Sequence, residues 1–334
     1  MSEDRKGDHI DLAFQAQLKA AQIDPRFYYE PMLTSNDISD VDISVELLGH
    51  RFKAPLWVSS MTGGTEKARI INHNLARICK EFGFGMGLGS CRPLLEGDQA
   101  FPDFNIRPLI GDDLPLFANL GVAQIEELQQ ANQLDQIRVM VEKLQATGLI
   151  IHVNPMQEWL QPEGDIYRSA PIDIIKWCLD AFDFPIIVKE VGQGFGPESL
   201  KALLNLPIQA LDFAANGGTN FALLEMLRSS EAHFDAFNQL ANIGHDASEM
   251  VDLLNQLVQS ENTTFACREI IISGGVKNFL DGYYLVQKCM LPAVYGQASG
   301  FLKYALDYEM LWQHVDKQIA GYKIASKMLR VKAG

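Results

Sequence analysis

Eight short apolar runs, spaced through the chain from residue 54 onward, constrain this sequence more than any other feature. They lie at 55–59, 84–88, 115–118, 148–151, 185–188, 210–213, 270–272 and 292–295. Several are rich in β-branched residues, and each is too short for a buried helix, so they read as strands. Between most of them run segments with apolar residues at helical spacing: 66–82, 171–181, 197–204, 247–259 and 278–289, and more weakly 121–132. Strands that alternate with helices must pair in parallel. Eight such units predict a closed (β/α)8 barrel, a TIM barrel of the α/β class, rather than an open sheet.

Residues 1–53 lack this rhythm and read as an irregular N-terminal extension of a single domain covering 1–334. The stretch from 213 to 270 has room for two or more helices. At 334 residues and 47% hydrophobic, the chain can fill one large core. A formal net charge of −14 argues against binding to nucleic acid or to an anionic membrane surface. No run approaches the roughly 18 apolar residues a spanning helix needs. The charged start, Met1 to Lys6, is unlike a secretory signal, so the expected location is cytoplasmic. Five scattered cysteines form no CxxC pair and read as reduced thiols.

In this architecture ligands are held by the loops after the strands. Every run here ends in polar groups or glycine. The first leads into Ser60-Met61-Thr62-Gly63-Gly64 and the second into Gly89-Ser90-Cys91-Arg92; the third ends at Asn119. The fourth opens into His152-Val153-Asn154-Pro155-Met156-Gln157-Glu158, a dense polar cluster suited to a polar ligand. Glu158 there is a candidate base or magnesium ligand, because hard cations take oxygen donors. Lys189 closes the fifth run and precedes Glu190; alternation along a strand turns the two to opposite faces, with Lys189 in the barrel mouth. Asn216-Gly217-Gly218-Thr219, Ser273-Gly274-Gly275 and Gly296-Gln297 complete the set, and glycines there let backbone N–H groups approach an anion.

These strings resemble the type 2 isopentenyl diphosphate isomerases, flavin-dependent (β/α)8 barrels. The resemblance begins at Arg5-Lys6-Gly7-Asp8-His9-Ile10 and runs through nearly the whole chain. Its most specific part is His152-x-Asn154-x-x-Gln157-Glu158 followed by Gln161-Pro162-Glu163-Gly164-Asp165. It implies interconversion of isopentenyl and dimethylallyl diphosphate with reduced FMN and magnesium, NADPH serving as reductant, in a homo-oligomer of four or more copies. It implies FMN contacts from Met61, Thr62, Gly63, Ser90, Asn119, Lys189, Ala214 and Thr219, with Gly274, Gly275, Gln297 and Ala298 at the phosphate. Arg5, Lys6, Ser90, Arg92, His152, Asn154 and Gln157 would contact the substrate, Glu158 would bind the metal, and His152 and Gln157 are the catalytic candidates. Four places depart from the family pattern: Cys91, Ala214, Lys277 and the string Ile243-Gly244-His245-Asp246-Ala247. The rival readings are an FMN-dependent oxidoreductase acting on a small anionic substrate and a non-catalytic phosphate-binding barrel.

Overall fold

All eight runs pair side by side in the computed structural model, which describes residues 2–61, 63–260 and 264–332. The barrel strands are β1 (Leu56–Val58), β2 (Met86–Gly87), β3 (Leu116–Gly121) and β4 (Gly148–Val153). They continue with β5 (Ile186–Glu190), β6 (Ala210–Asp212), β7 (Ile270–Ser273) and β8 (Ala293–Gln297). Neighbours are parallel, and β8 closes on β1 with Tyr295 opposite Leu56. The predicted (β/α)8 barrel is therefore the observed fold.

The helices follow from local sequence signals. Thr65 caps Glu66–Phe82 by accepting the Ala68 N–H, and Gly83 ends it in the left-handed region at φ 71°. Ile71, Leu75 and Ile78 bury one face at the i, i+4, i+7 spacing the sequence displays. Pro171–Ala181 and Pro197–Leu204 each begin on a proline, where the missing N–H costs nothing. Between β6 and β7 lie Phe221–Arg228, Glu231–Phe237 and Ala247–Ser260.

Two large rings, Trp57 and Phe117, fill the barrel interior and meet edge to face, 6.2 Å between centroids. Glycines make room for them. A Cβ on Gly85 would sit 2.6 Å from the Trp57 ring, and one on Gly148 would sit 2.8 Å from Phe117. This is why one strand begins on a glycine, Gly148, and another is entered through one, Gly85, despite glycine's poor strand propensity.

The extension is more ordered than its sequence suggests. Val45–Leu47 and His50–Phe52 form a hairpin whose turn residues, Leu48 and Gly49, both have positive φ. It plugs the amino-terminal end of the barrel. The Leu48 N–H donates to Glu269 just before β7, His50 bonds the Asp113 carbonyl just before β3, and Phe52 stacks on Trp57. Farther out, Phe27–Tyr29 pairs antiparallel with Leu329–Val331. With this end sealed, the carboxyl ends of the strands are the open face. No described helix is long and apolar enough to cross a membrane.

Candidate functional site

Two adjoining clefts occupy the carboxyl face. The first, between the loops after β5, β6, β7 and β8, spans about 540 Å³ of space continuous with solvent; the second, spanning about 750 Å³ likewise, lies over the loops after β1 to β4. Ser60, Lys189, Val191 and Phe221 line both and form the seam.

Lys189 stands on β5 between His152 on β4 and Asp212 on β6, its register partners. It is 8% exposed, and its ammonium donates to the Glu190 carbonyl at 2.7 Å. The Glu190 carboxylate points the other way and accepts the N–H groups of Gly192, Gln193 and Gly194, at 2.7, 2.6 and 2.9 Å. Burial still pushes its pKa upward against those three bonds. Strand alternation thus separates a residue facing the ligand from one that shapes the loop.

In the first cleft, Gly274 and Gly275 press against the loop after β6. A Cβ on Gly274 would fall 2.0 Å from the Ala215 carbonyl oxygen, and φ is +88°. Ala214 holds the left-handed conformation at φ 41°, its N–H bonded to the Ser273 hydroxyl at 3.0 Å. The same hydroxyl donates to Asp212, which is fully buried and has its pKa raised by that burial. Gln297 and Ala298 complete the wall, followed by the short helix Ser299–Leu302. Late loops plus a short extra helix are where this architecture usually holds phosphate. The Ser59 and Ser60 hydroxyls and Gln297 Oε1 are buried without a hydrogen-bond partner among the described residues. Unpaired buried polar atoms are costly, so a cleft lined with them fits a polar group such as the phosphate and ring edge of FMN.

The second cleft is built around β3 and β4. Asn119 donates from Nδ2 to the Leu88 carbonyl at 3.0 Å, which leaves its Oδ1 to face His152 Nδ1 at 2.8 Å. His152 therefore carries its proton on Nδ1 and leaves Nε2 as an acceptor. Burial, and secondarily the Lys189 charge, push its pKa down to about 3. Asn154 is buried and donates to Gln157 Oε1 at 3.2 Å and Glu158 Oε1 at 2.7 Å. Glu158 Oε2 accepts the Asp165 N–H at 2.8 Å. Among the described residues no three His, Cys, Asp or Glu side chains converge on a metal position. Glu158 is a single fixed oxygen donor, of the kind that could hold magnesium only together with waters and a phosphate.

Of the residues singled out from sequence, Lys189, Ala214, Thr219, Gly274, Gly275, Gln297 and Ala298 line the first cleft. Met61, Ser90, Arg92, Asn119, His152, Asn154, Gln157 and Glu158 line the second. Gly63 lines neither: its Cα lies against the Phe104 ring, where a Cβ would come within 2.0 Å. Thr62, and the side chains of Arg5 and Lys6, lie outside the described residues. The divergent Ile243–Ala247 string also stays out of both clefts. His245 accepts the Asn216 N–H at its carbonyl and donates its own N–H to the Gln193 carbonyl, bracing the loops from behind. Cys91 is buried with its thiol pushed up to about 12, which leaves no nucleophile there.

Sequence reasoning missed Gln124, Asp212 and Phe221. Gln124 could have been found, since the first turn of a helix after a barrel strand faces the mouth. Asp212 had one signal, a lone carboxylate inside an apolar strand.

This architecture is shared with flavin-binding barrels. The flavin-binding domain of baker's yeast flavocytochrome b2 superposes with a TM-score of 0.62 at 14% identity, covering 91% of this chain and 72% of that one. A mandelate oxidase variant gives 0.55 at 14% identity, covering 92% and 88%. At such identities the likeness establishes the barrel alone. No family model matches the chain. Curated relatives are more telling. The isopentenyl-diphosphate delta-isomerase of Cronobacter sakazakii is 33% identical over 303 residues, 89% of this chain and 84% of that protein. Those of a Nostoc species and of Deinococcus radiodurans are 32% and 35% identical over 318 and 249 residues, covering 93% and 75% of this chain and 87% and 70% of those proteins. The chain belongs to the isopentenyl-diphosphate delta-isomerase family, in the type 2 form that its motifs resemble.

Proposed function

We propose that this chain interconverts isopentenyl and dimethylallyl diphosphate, with FMN held in the first cleft and reaching Met61, Ser90 and Asn119 across the seam, and with the diphosphate in the second, where Glu158 would hold magnesium. The observation that carries the reading is the seam: Lys189 borders both clefts, so a ligand in one meets a ligand in the other. Family membership supplies the substrate class.

Moving the double bond adds a proton at the terminal methylene carbon and removes one from the carbon beside the diphosphate-bearing carbon. Positive charge develops between them, and no net redox change results. Reduced FMN, when bound, supplies an electron-rich ring that can stabilise this charge and carry the proton. The chain's own groups bind and orient. Arg92 presents a forked guanidinium to the diphosphate. Gln157 has no ionisable proton and acts by hydrogen bonding. His152, neutral, offers Nε2 as an acceptor. Lys189 holds a positive charge where electron-rich or anionic atoms of the flavin would lie. The same reading takes NADPH as the reductant, the cytoplasm as the location and a homo-oligomer of four or more copies as the assembly.

The test is an anaerobic assay of the FMN-loaded protein with dithionite and magnesium. Interconversion of the two diphosphates is expected only with reduced flavin and magnesium both present. No turnover under those conditions overturns the reading.

A further inference from the structure

The loop after the helix Pro155–Leu160 carries a residue that fastens three parts of the second cleft. Asp165 Oδ2 accepts from Arg92 Nη1 at 2.7 Å and from Gln124 Nε2 at 2.8 Å, while its N–H donates to Glu158 Oε2 at 2.8 Å. Arg92 comes from the loop after β2, Gln124 from the helix after β3, and Glu158 from the helix after β4.

The loop is itself held firmly. Glu126, 4% exposed, accepts the N–H groups of Arg168 and Ser169 at 2.9 and 2.7 Å. Gly164 lies so close under the Glu158 carbonyl that a Cβ would fall 1.8 Å from its oxygen. Asp165 therefore sits on a fixed platform, not on a lid.

An ionised carboxylate is acceptor-only and repels a diphosphate, so Asp165 is no ligand for one. What it does is spend one N–H of Arg92 to fix the plane of the other donors. A flexible arginine loses conformational freedom on binding, and one already held loses less. We infer that Asp165 is a positioning residue, which orients Arg92 by its carboxylate and Glu158 by its backbone so that a diphosphate and its magnesium meet a preformed site. The inference rests on the diphosphate reading above. The competing account is an ordinary partly exposed ion pair, which contributes almost nothing.

The test is a double-mutant cycle on the FMN-loaded full chain, titrated calorimetrically with dimethylallyl diphosphate in excess magnesium. Asp165→Ala is expected to raise Kd about tenfold in the wild-type background but less than threefold in Arg92→Ala, with Arg92→Gln used if Arg92→Ala binds too weakly to titrate. In turnover, KM should rise by a similar factor while kcat at saturation stays within threefold. Asp165→Asn, which keeps the shape and loses the charge, should fall between wild type and Asp165→Ala. Unchanged FMN affinity confirms that the variants are folded. Equal factors in both backgrounds, no weakening, or no diphosphate binding by the wild type overturn the inference. Coupling without turnover sinks the isomerase reading and leaves the positioning role; turnover with independent effects does the reverse.

Discussion

His152 shows how far a single side chain can be read before its neighbours are known. The sequence places it at the end of an apolar strand among amides and a carboxylate, which marks it as a site residue. Its protonation state depends on burial and then on Lys189, and its tautomer on Asn119, both on other strands. An unfolded histidine takes up its proton near pH 6.5. In the folded chain this one holds off until about 3. The unfolded state therefore binds more protons across that window, and stability falls as pH drops below 6.5, with no contribution above it. Urea unfolding of wild type and His152→Gln between pH 7 and 4.5 checks this. The variant should lose stability less steeply with acid, and parallel curves would contradict a neutral His152. Lys189 was more legible, because alternation alone turns it to the mouth and Glu190 away. Asp212 was legible only as an oddity: one carboxylate in an apolar strand marks the position but says nothing about the Ser273 hydroxyl that meets it from the next strand.

Among the elements, the loops after β6 and β7 read as two separate glycine turns suited to an anion. The structure adds a second reason for the glycines, their contact with each other, which depends on strand order and not on either string. Gly274→Ala tests it. The new Cβ would meet the Ala215 carbonyl in a backbone conformation that side chains resist, a strain on the order of 1–3 kcal/mol before the loops separate. Thermal melting should shift down, and flavin fluorescence titration should show FMN affinity reduced at least tenfold. An alanine variant that binds FMN normally would mean that loop contact is dispensable. Helix boundaries marked by proline, capping threonine and terminal glycine were legible almost to the residue. Asp135–Lys143 and Tyr308–Met328 were not. The first sits close behind another helix, and the second, which completes the eighth strand-helix unit, is set off from the last strand by the short helix Ser299–Leu302.

For the whole molecule, the rhythm of eight runs was enough to specify the barrel, because parallel strands of that number close best into one. The hairpin at its base was hidden by its shortness: two three-residue strands give no period to detect. The base and the mouth divide the work, one holding the barrel shut and the other binding ligands. Phe52→Ala, removing a fully buried ring from the base, should cost about 3–5 kcal/mol in urea unfolding. FMN affinity measured on the folded fraction should stay within threefold of wild type. A large loss of affinity at undiminished stability would reverse that division.

The pairing of Phe27 with Val331 has a consequence in time. A ribosome adds about 5–20 residues each second, so some 300 residues separate the two strands by roughly 15–60 s of synthesis. β1 waits nearly as long for β8. Throughout that interval the growing chain carries open strand edges and an undocked leading segment, and a nascent chain held by a chaperone until Leu329–Val331 emerges would be spared both.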